Sequence, residues 1–200
     1  MNIDFILDIS CLWSYISWRQ LQTALKECAV QVDISPFFIS SGSFFPGLDT
    51  EPADRARLLE SRAGPLLKQT GIFVNFDCLP PLSHDLSWPD KLIRAAFAQK
   101  KYSVLDEVFS AFFSFGRDIS ALQTIIPIME YHDLTLNDLN AVPPVSKIPV
   151  NMPEGLRAVP CLVFEHKTII FGVQSVPCLK NMLHLAEQLK KEASFNKINS

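Results

Sequence analysis

Strand-type periodicity is confined to the two ends of this chain, and that confinement limits the fold more than any other feature. Near the N-terminus Ile3-Asp4-Phe5-Ile6-Leu7-Asp8 is short, β-rich and free of Gly and Pro, and it stops where Ser10-Cys11-Leu12-Trp13-Ser14 brings in small polar residues. From residue 13 to about 28, Leu21, Leu25 and Cys28 recur at helical spacing, while Arg19, Gln22, Lys26 and Glu27 lie elsewhere on the wheel. Residues 29–35 alternate with period two, Pro36 limits their extension, and Phe37-Phe38-Ile39 carries on as an apolar run. The right-handed crossover rule makes these two strands parallel. At the other end, Cys161-Leu162-Val163-Phe164 and Thr168-Ile169-Ile170-Phe171 read as strands joined by the hairpin turn Glu165-His166-Lys167. Ser175 then caps a last helix bearing Leu179, Met182, Leu183, Ala186 and Leu189.

Everything between these ends has helical character. Residues 40–48, with Ser41-Gly42-Ser43 and Pro46-Gly47, mark a composition shift and a boundary. Residues 51–69 are rich in Arg, Leu, Ala and Glu, with Gly64-Pro65 expected to interrupt or kink the helix. Ser87-Trp88-Pro89-Asp90 reads as a capped start, with Ser87 as N-cap and Asp90 reaching back, for a helix to residue 98. Val104, Leu105, Val108, Phe109, Phe112 and Phe113 define one buried face before Gly116 stops that helix, and Ser120 caps the next, which carries Leu122, Ile125, Ile126 and Met129. A proline-rich connector spans residues 142–153. The order is β-α-β, several helices, then β-β-α: an α/β chain in thioredoxin order with an inserted all-helical subdomain. Residues 1–40 and 154–192 are expected to form the thioredoxin-like domain, 41–153 the helical insertion, and 193–200 a polar, frayed tail.

Composition narrows the function. The 200 residues are 48% apolar and 20% charged with a net charge of −3, so one substantial core is affordable and no basic footprint exists for nucleic acid. No stretch approaches the roughly 18 apolar residues of a membrane span, and the first basic residue is Arg19, so neither a membrane association nor a secretory leader is expected. Five cysteines, an odd number without a Cys-x-x-Cys pair, point to a reducing, cytoplasmic setting. His84, His132, His166 and His184 are isolated, so no metal site is expected, and no phosphate-binding glycine loop or Gly-x-Ser-x-Gly elbow is present.

Cys11 falls where the first strand meets the first helix. Unpaired N–H groups and the helix dipole favour negative charge there, so one reading is a thiol of lowered pKa and the other is one more buried cysteine. Val159-Pro160 directly precedes a strand. A cis bond there would leave the Val159 backbone open to an extended peptide or thiol tripeptide, and a trans, strand-initiating proline is the alternative. Ser14 either satisfies a local N–H or holds the Cys11 sulfur, Trp13 and Tyr15 read as pocket rim and packing, and Asp8 reads as a surface residue, with an influence on a proton near Cys11 as the alternative. Cys28, Cys78 and Cys178 read as structural, and Cys161 as a buried apolar residue.

Four segments, in order on these elements, give a resemblance over nearly the whole chain. They are Asp4-Phe5-Ile6-Leu7-Asp8-Ile9-Ser10-Cys11-Leu12-Trp13-Ser14-Tyr15, Phe112-Phe113-Ser114-Phe115-Gly116-Arg117-Asp118-Ile119, Ala158-Val159-Pro160 and Phe171-Gly172-Val173-Gln174. The chain resembles the DsbA-like thioredoxin-fold group that includes FrnE-type oxidoreductases, 2-hydroxychromene-2-carboxylate isomerases and kappa-class glutathione transferases. The resemblance implies a thiol-disulfide oxidoreductase with Cys11 and Ser14 as catalytic residues and Trp13, Val159, Pro160 and Gln174 as substrate-binding ones. Glutathione or a protein thiol would be the partner, with no covalently bound cofactor, and a homodimer is left open. Phe44-Phe45 and the face around Phe109 and Phe113 would shape an apolar pocket. The chain departs from the oxidoreductase pattern in having Ser14 where a second cysteine stands and Leu12 where proline stands, so Cys11 lacks an adjacent resolving thiol. The isomerase and transferase branch carries serine at the Cys11 position. A glutathione-dependent isomerase or transferase and a non-catalytic thiol- or peptide-binding module are therefore the alternatives. Cys161, just after Pro160, would come within disulfide reach of Cys11 in a hidden-pair variant of the first reading.

Overall fold

The computed structural model describes residues 1–39, 51–83, 85–143 and 159–198, with side chains up to residue 192. Phe44, Phe45, His84 and Ala158, the boundary at 40–48 and most of the proline-rich connector lie outside the described residues. Strands β1 (Asn2–Leu7), β2 (Asp33–Phe38), β3 (Cys161–Phe164) and β4 (Thr168–Phe171) form one sheet in the order β2-β1-β3-β4. β1 pairs parallel with β2 and antiparallel with β3, and β3 pairs antiparallel with β4. The two ends of the chain thus meet in one sheet. β2 begins at Asp33 rather than at residue 29, because α1 (Leu12–Cys28) runs on to Cys28 and Ala29 ends it in the left-handed conformation at φ 51°. Pro36 is tolerated within β2 because β2 is an edge strand.

Six further helices follow: α2 (Pro52–Thr70), α3 (Ser87–Ala98), α4 (Ser103–Phe113), α5 (Leu122–Tyr131), the short α6 (Leu136–Ala141) and α7 (Val176–Ile198), with a 3₁₀ turn at Phe76–Cys78. Ile3, Phe5 and Leu7 of β1 point to the face covered by α1 and α7, and the same core continues into α3, α4 and α5. All six residues of the α4 stripe are buried, as their spacing predicts, and each such side chain contributes about 1.5–3 kcal/mol through removal from water. Phe109 and Phe113 are fully buried and line none of the described cavities. They stack on Tyr15 at centroid distances of 5.3 and 5.6 Å and so tie α4 to the first turn of α1.

Several local expectations change. The N-cap of α3 is Leu86, and the acceptor for the Ser87 N–H is the Asp85 carboxylate at 2.9 Å, while Asp90 pairs with Arg94 at 2.6 Å instead of reaching back. Ala121 rather than Ser120 precedes α5, since the Ser120 N–H and hydroxyl are both taken by Asp118 at 2.9 and 2.6 Å. α2 continues through Pro65, held on either side by buried Ala56, Ala63 and Leu67. Ser175 does cap α7, accepting from the Cys178 N–H at 3.4 Å, but Leu189 is exposed. α7 also extends to Ile198 across most of the expected tail, as suits Lys190, Lys191, Glu192 and Ala193, all good helix formers, and the Glu187–Lys191 pair.

Candidate active site around Cys11

At the C-terminal end of β1, Asp8, Ile9 and Ser10 lead into Cys11, the N-cap of α1 with φ −91° and ψ 115°. The Cys11 N–H donates to the Asp8 carbonyl at 3.1 Å, and the Cys11 carbonyl accepts from Ser14 and Tyr15 at 3.0 and 3.2 Å. That pattern closes the first turn and leaves the sulfur beside its open N–H groups. The Ser14 hydroxyl accepts from the Asp8 N–H at 3.3 Å, which bridges strand end and helix start. Asp8 is buried, contrary to its reading as a surface residue, because its carboxylate accepts from both the N–H and the hydroxyl of Ser10 at 2.7 Å.

The Cys11 thiol is 3% exposed, and its pKa is pushed up to about 11. Burial is the main cause, with the Asp8 charge acting in the same direction. The N–H groups of Ser14 and Trp13 and the Ser14 hydroxyl favour the thiolate but are outweighed. The lowered pKa expected from the helix N-terminus is therefore reversed, since desolvation of a nearly inaccessible sulfur exceeds what the first-turn donors return.

The antiparallel register sets Cys161 opposite Ile6, so Pro160 comes beside Leu7 at the end of β1 that leads to Cys11. The Val159–Pro160 bond is cis, Pro160 is buried and Val159 half-buried, and the Pro160 carbonyl accepts from the Gly172 N–H at 2.8 Å. Cys11, Ser14, Val159 and Pro160 thus share one end of the sheet. Trp13 is half-buried against the core. Gln174 lies beyond β4, donates to the Phe171 carbonyl at 2.9 Å, and lines a cleft of about 540 Å³ between α1, α2 and the start of α7. A smaller cavity of about 260 Å³ beside the site is lined by Asp8, Ile9, Phe38 and Ile39 together with Asp85 and Asp90.

All five cysteines are free. Cys161 packs with Ile6 and Val163 on the sheet face opposite α1, and burial raises its pKa to about 11 as well. It is a buried apolar residue and makes no disulfide with Cys11. Cys28 lies 3.8 Å from His184, and Cys78 and Cys178 contact Asn75 and Gln174, none of them joining the site. Among the described residues, no group of three or more His, Cys, Asp or Glu could hold a metal ion, and no helix is long and apolar enough to cross a membrane. Of the two readings of Asp8, a surface residue and an influence on a proton near Cys11, the structure bears out the second.

No family model matches the sequence, and no curated protein matches it. Solved structures do. A chain described as a probable DsbA oxidoreductase from Streptomyces coelicolor superposes with a TM-score of 0.65 at 15% identity, over 94% of this chain and 90% of its own. A 2-hydroxychromene-2-carboxylate isomerase gives 0.59 at 13% identity over 100% of both chains. The cytosolic disulfide reductase DsbM from Pseudomonas aeruginosa gives 0.61 at 14% identity over 98% of this chain and 100% of its own, and its structure with GSH gives 0.56 at 16% over 97% and 100%. The chain has the DsbA-like thioredoxin fold, shared by oxidoreductases and an isomerase.

Proposed function

We propose that the chain is a glutathione-dependent thiol enzyme in which Cys11 works from its protonated form. The observation that carries this reading is the Cys11 thiol itself, nearly inaccessible at the first turn of α1 with a pKa of about 11. At pH 7 only about one such thiol in 10⁴ is ionised, so the group is an S–H donor and not a standing nucleophile. A donor at this place suits a bound glutathione thiolate, which it orients and holds by a hydrogen bond. The tripeptide backbone lies along Val159 and Pro160, with Trp13 and Gln174 further out. The bound thiolate is then the nucleophile, the role that isomerase or transferase chemistry asks of it. Two likenesses support this reading: the isomerase structure spans the whole chain, and DsbM was solved with GSH. A reducing, cytoplasmic setting, which keeps glutathione reduced, fits it.

One observation favours a second reading, monothiol exchange: the Trp13 and Ser14 N–H groups and the Ser14 hydroxyl already favour a thiolate at Cys11. In that reaction the Cys11 thiolate attacks one sulfur of glutathione disulfide, the mixed S–S bond forms, and one glutathione thiolate leaves. With Ser14 in place of a second cysteine, another glutathione must attack the mixed disulfide to restore Cys11.

The test is calorimetric titration with reduced glutathione, on the native chain and on Cys11→Ser, alongside mass mapping after incubation with glutathione disulfide. The first reading expects saturable binding that survives Cys11→Ser, and no adduct on Cys11. A stable adduct on Cys11 transfers the case to monothiol exchange, and absence of both binding and adduct overturns the glutathione reading.

A further inference from the structure

A cysteine stands at each end of α1, and the one at the C-terminal end has surroundings that the chemistry at Cys11 does not use. Cys28, the last residue of α1, is half-buried, and its Sγ lies 3.8 Å from Nε2 of His184 on α7. Lys180, one turn earlier on α7, binds the neighbouring Glu27 carboxylate at 2.9 Å. That carboxylate does most to hold the Lys180 proton and a charge at Cys28 adds to it, so the ammonium stands within electrostatic reach of the sulfur. Two basic side chains at i, i+4 spacing on α7 thus face one thiol on α1. The other half-buried thiols are placed differently. Cys78 donates its S–H to the Asn75 carbonyl and Cys178 to the Gln174 carboxamide oxygen, each at 3.6 Å, and neither oxygen takes a proton away near neutral pH. An imidazole does take it, and the positive charge left beside the sulfur favours the thiolate. The C-terminus of α1 and Glu27 act the other way, and Lys26 in the last turn, Lys180 and His184 offset them.

We propose that Cys28 and His184 form a second thiol site, at which the protein takes up glutathione as a mixed disulfide. The imidazole Nε2 takes the Cys28 proton, and the sulfur attacks one sulfur of glutathione disulfide. The bond between Cys28 and that glutathione forms as the glutathione S–S bond breaks, and the departing thiolate takes the proton back from the imidazolium. Cys28 is thereby oxidised, one glutathione is reduced, and His184 is returned unchanged. The site stands without the reading at Cys11, since the 17 residues of α1 hold the two thiols about 25 Å apart. Cys11 therefore cannot resolve the mixed disulfide at Cys28, which persists until a thiol from solution removes it.

The test exposes the folded, reduced chain to excess glutathione disulfide at neutral pH, with timed acid quenching and mass mapping of the peptides that carry the five cysteines. Cys28 is expected to gain one glutathione about tenfold faster, or more, than Cys78 or Cys178. His184→Gln keeps a polar side chain and removes the base, so it should slow Cys28 about tenfold while Cys78 and Cys178 react as before. Those two rates report on folding in the same sample and so separate loss of the base from loss of structure. Lys180→Gln is expected to slow Cys28 about threefold at low salt and less at high salt. Cys11→Ser should leave the labelling of Cys28 unchanged, which keeps this result apart from any result at Cys11. No adduct on Cys28, equal rates at the three half-buried thiols, or an undiminished Cys28 rate in His184→Gln would overturn the proposal.

Discussion

Burial decides the chemistry of Cys11, and it does so through residues that are individually ordinary. The N–H groups of Trp13 and Ser14 supply what a helix N-terminus always supplies, yet the sulfur is 3% exposed and Asp8 is buried close by, so the proton stays on. Gly116 makes a comparable local demand. It takes φ 63°, and a Cβ there would strike the Cys78 carbonyl oxygen and lie 2.8 Å from the Cys78 Sγ. Gly116→Ala is expected to lower stability by about 1–3 kcal/mol in urea unfolding, and unchanged stability would contradict that close approach. The sequence marks Gly116 as the end of a helix. It does not disclose the second constraint, because Cys78 is brought there only by tertiary packing.

At the scale of elements, β1 is buried on both faces, and one position on it is a carboxylate. Asp4 is 2% exposed and meets His166 at 2.7 Å, from the hairpin between β3 and β4 where Glu165 and His166 take φ values of 50° and 56°. Three residues, Glu165-His166-Lys167, join the two strands, and the backbone of that turn holds the imidazole over the sheet. His166→Ala leaves Asp4 buried without this partner and is expected to cost about 1–3 kcal/mol at neutral pH, seen as a lower melting temperature. A variant that melts as the native chain does would show that the pair carries no stability. The strands themselves were legible from period-two patterning, and α4 from its apolar stripe. The Asp4–His166 pair was not, since its members are 162 residues apart and neither carries a local signal. Ser87 and Ser120 are not caps for a local reason: Leu86 and Ala121 stand at the N-cap positions, and each serine N–H is bound by an aspartate two residues earlier.

For the molecule as a whole, the parallel β1–β2 and antiparallel β1–β3 pairings put the start of α1, the start of β3 and the end of β4 at one end of the sheet. This is why residues as distant as Cys11 and Pro160 lie at one end of the sheet, and it was readable from the order of elements. How deeply the site would be covered was not readable, because exposure depends on how the helices pack over it. Of the two readings of Cys11, a thiol of lowered pKa and a buried cysteine, burial favours the second at that point. The central claim is that Cys11 is a protonated thiol at neutral pH, and the most direct check is its alkylation rate from pH 5 to 11.5, followed on the Cys11 peptide by mass spectrometry. Raising a thiol pKa from 9.0 to about 11 shifts the rise in rate to higher pH, so the rate should still be climbing above pH 9 with a midpoint near 11. A plateau already reached by pH 7 would mean a standing thiolate and would contradict the account.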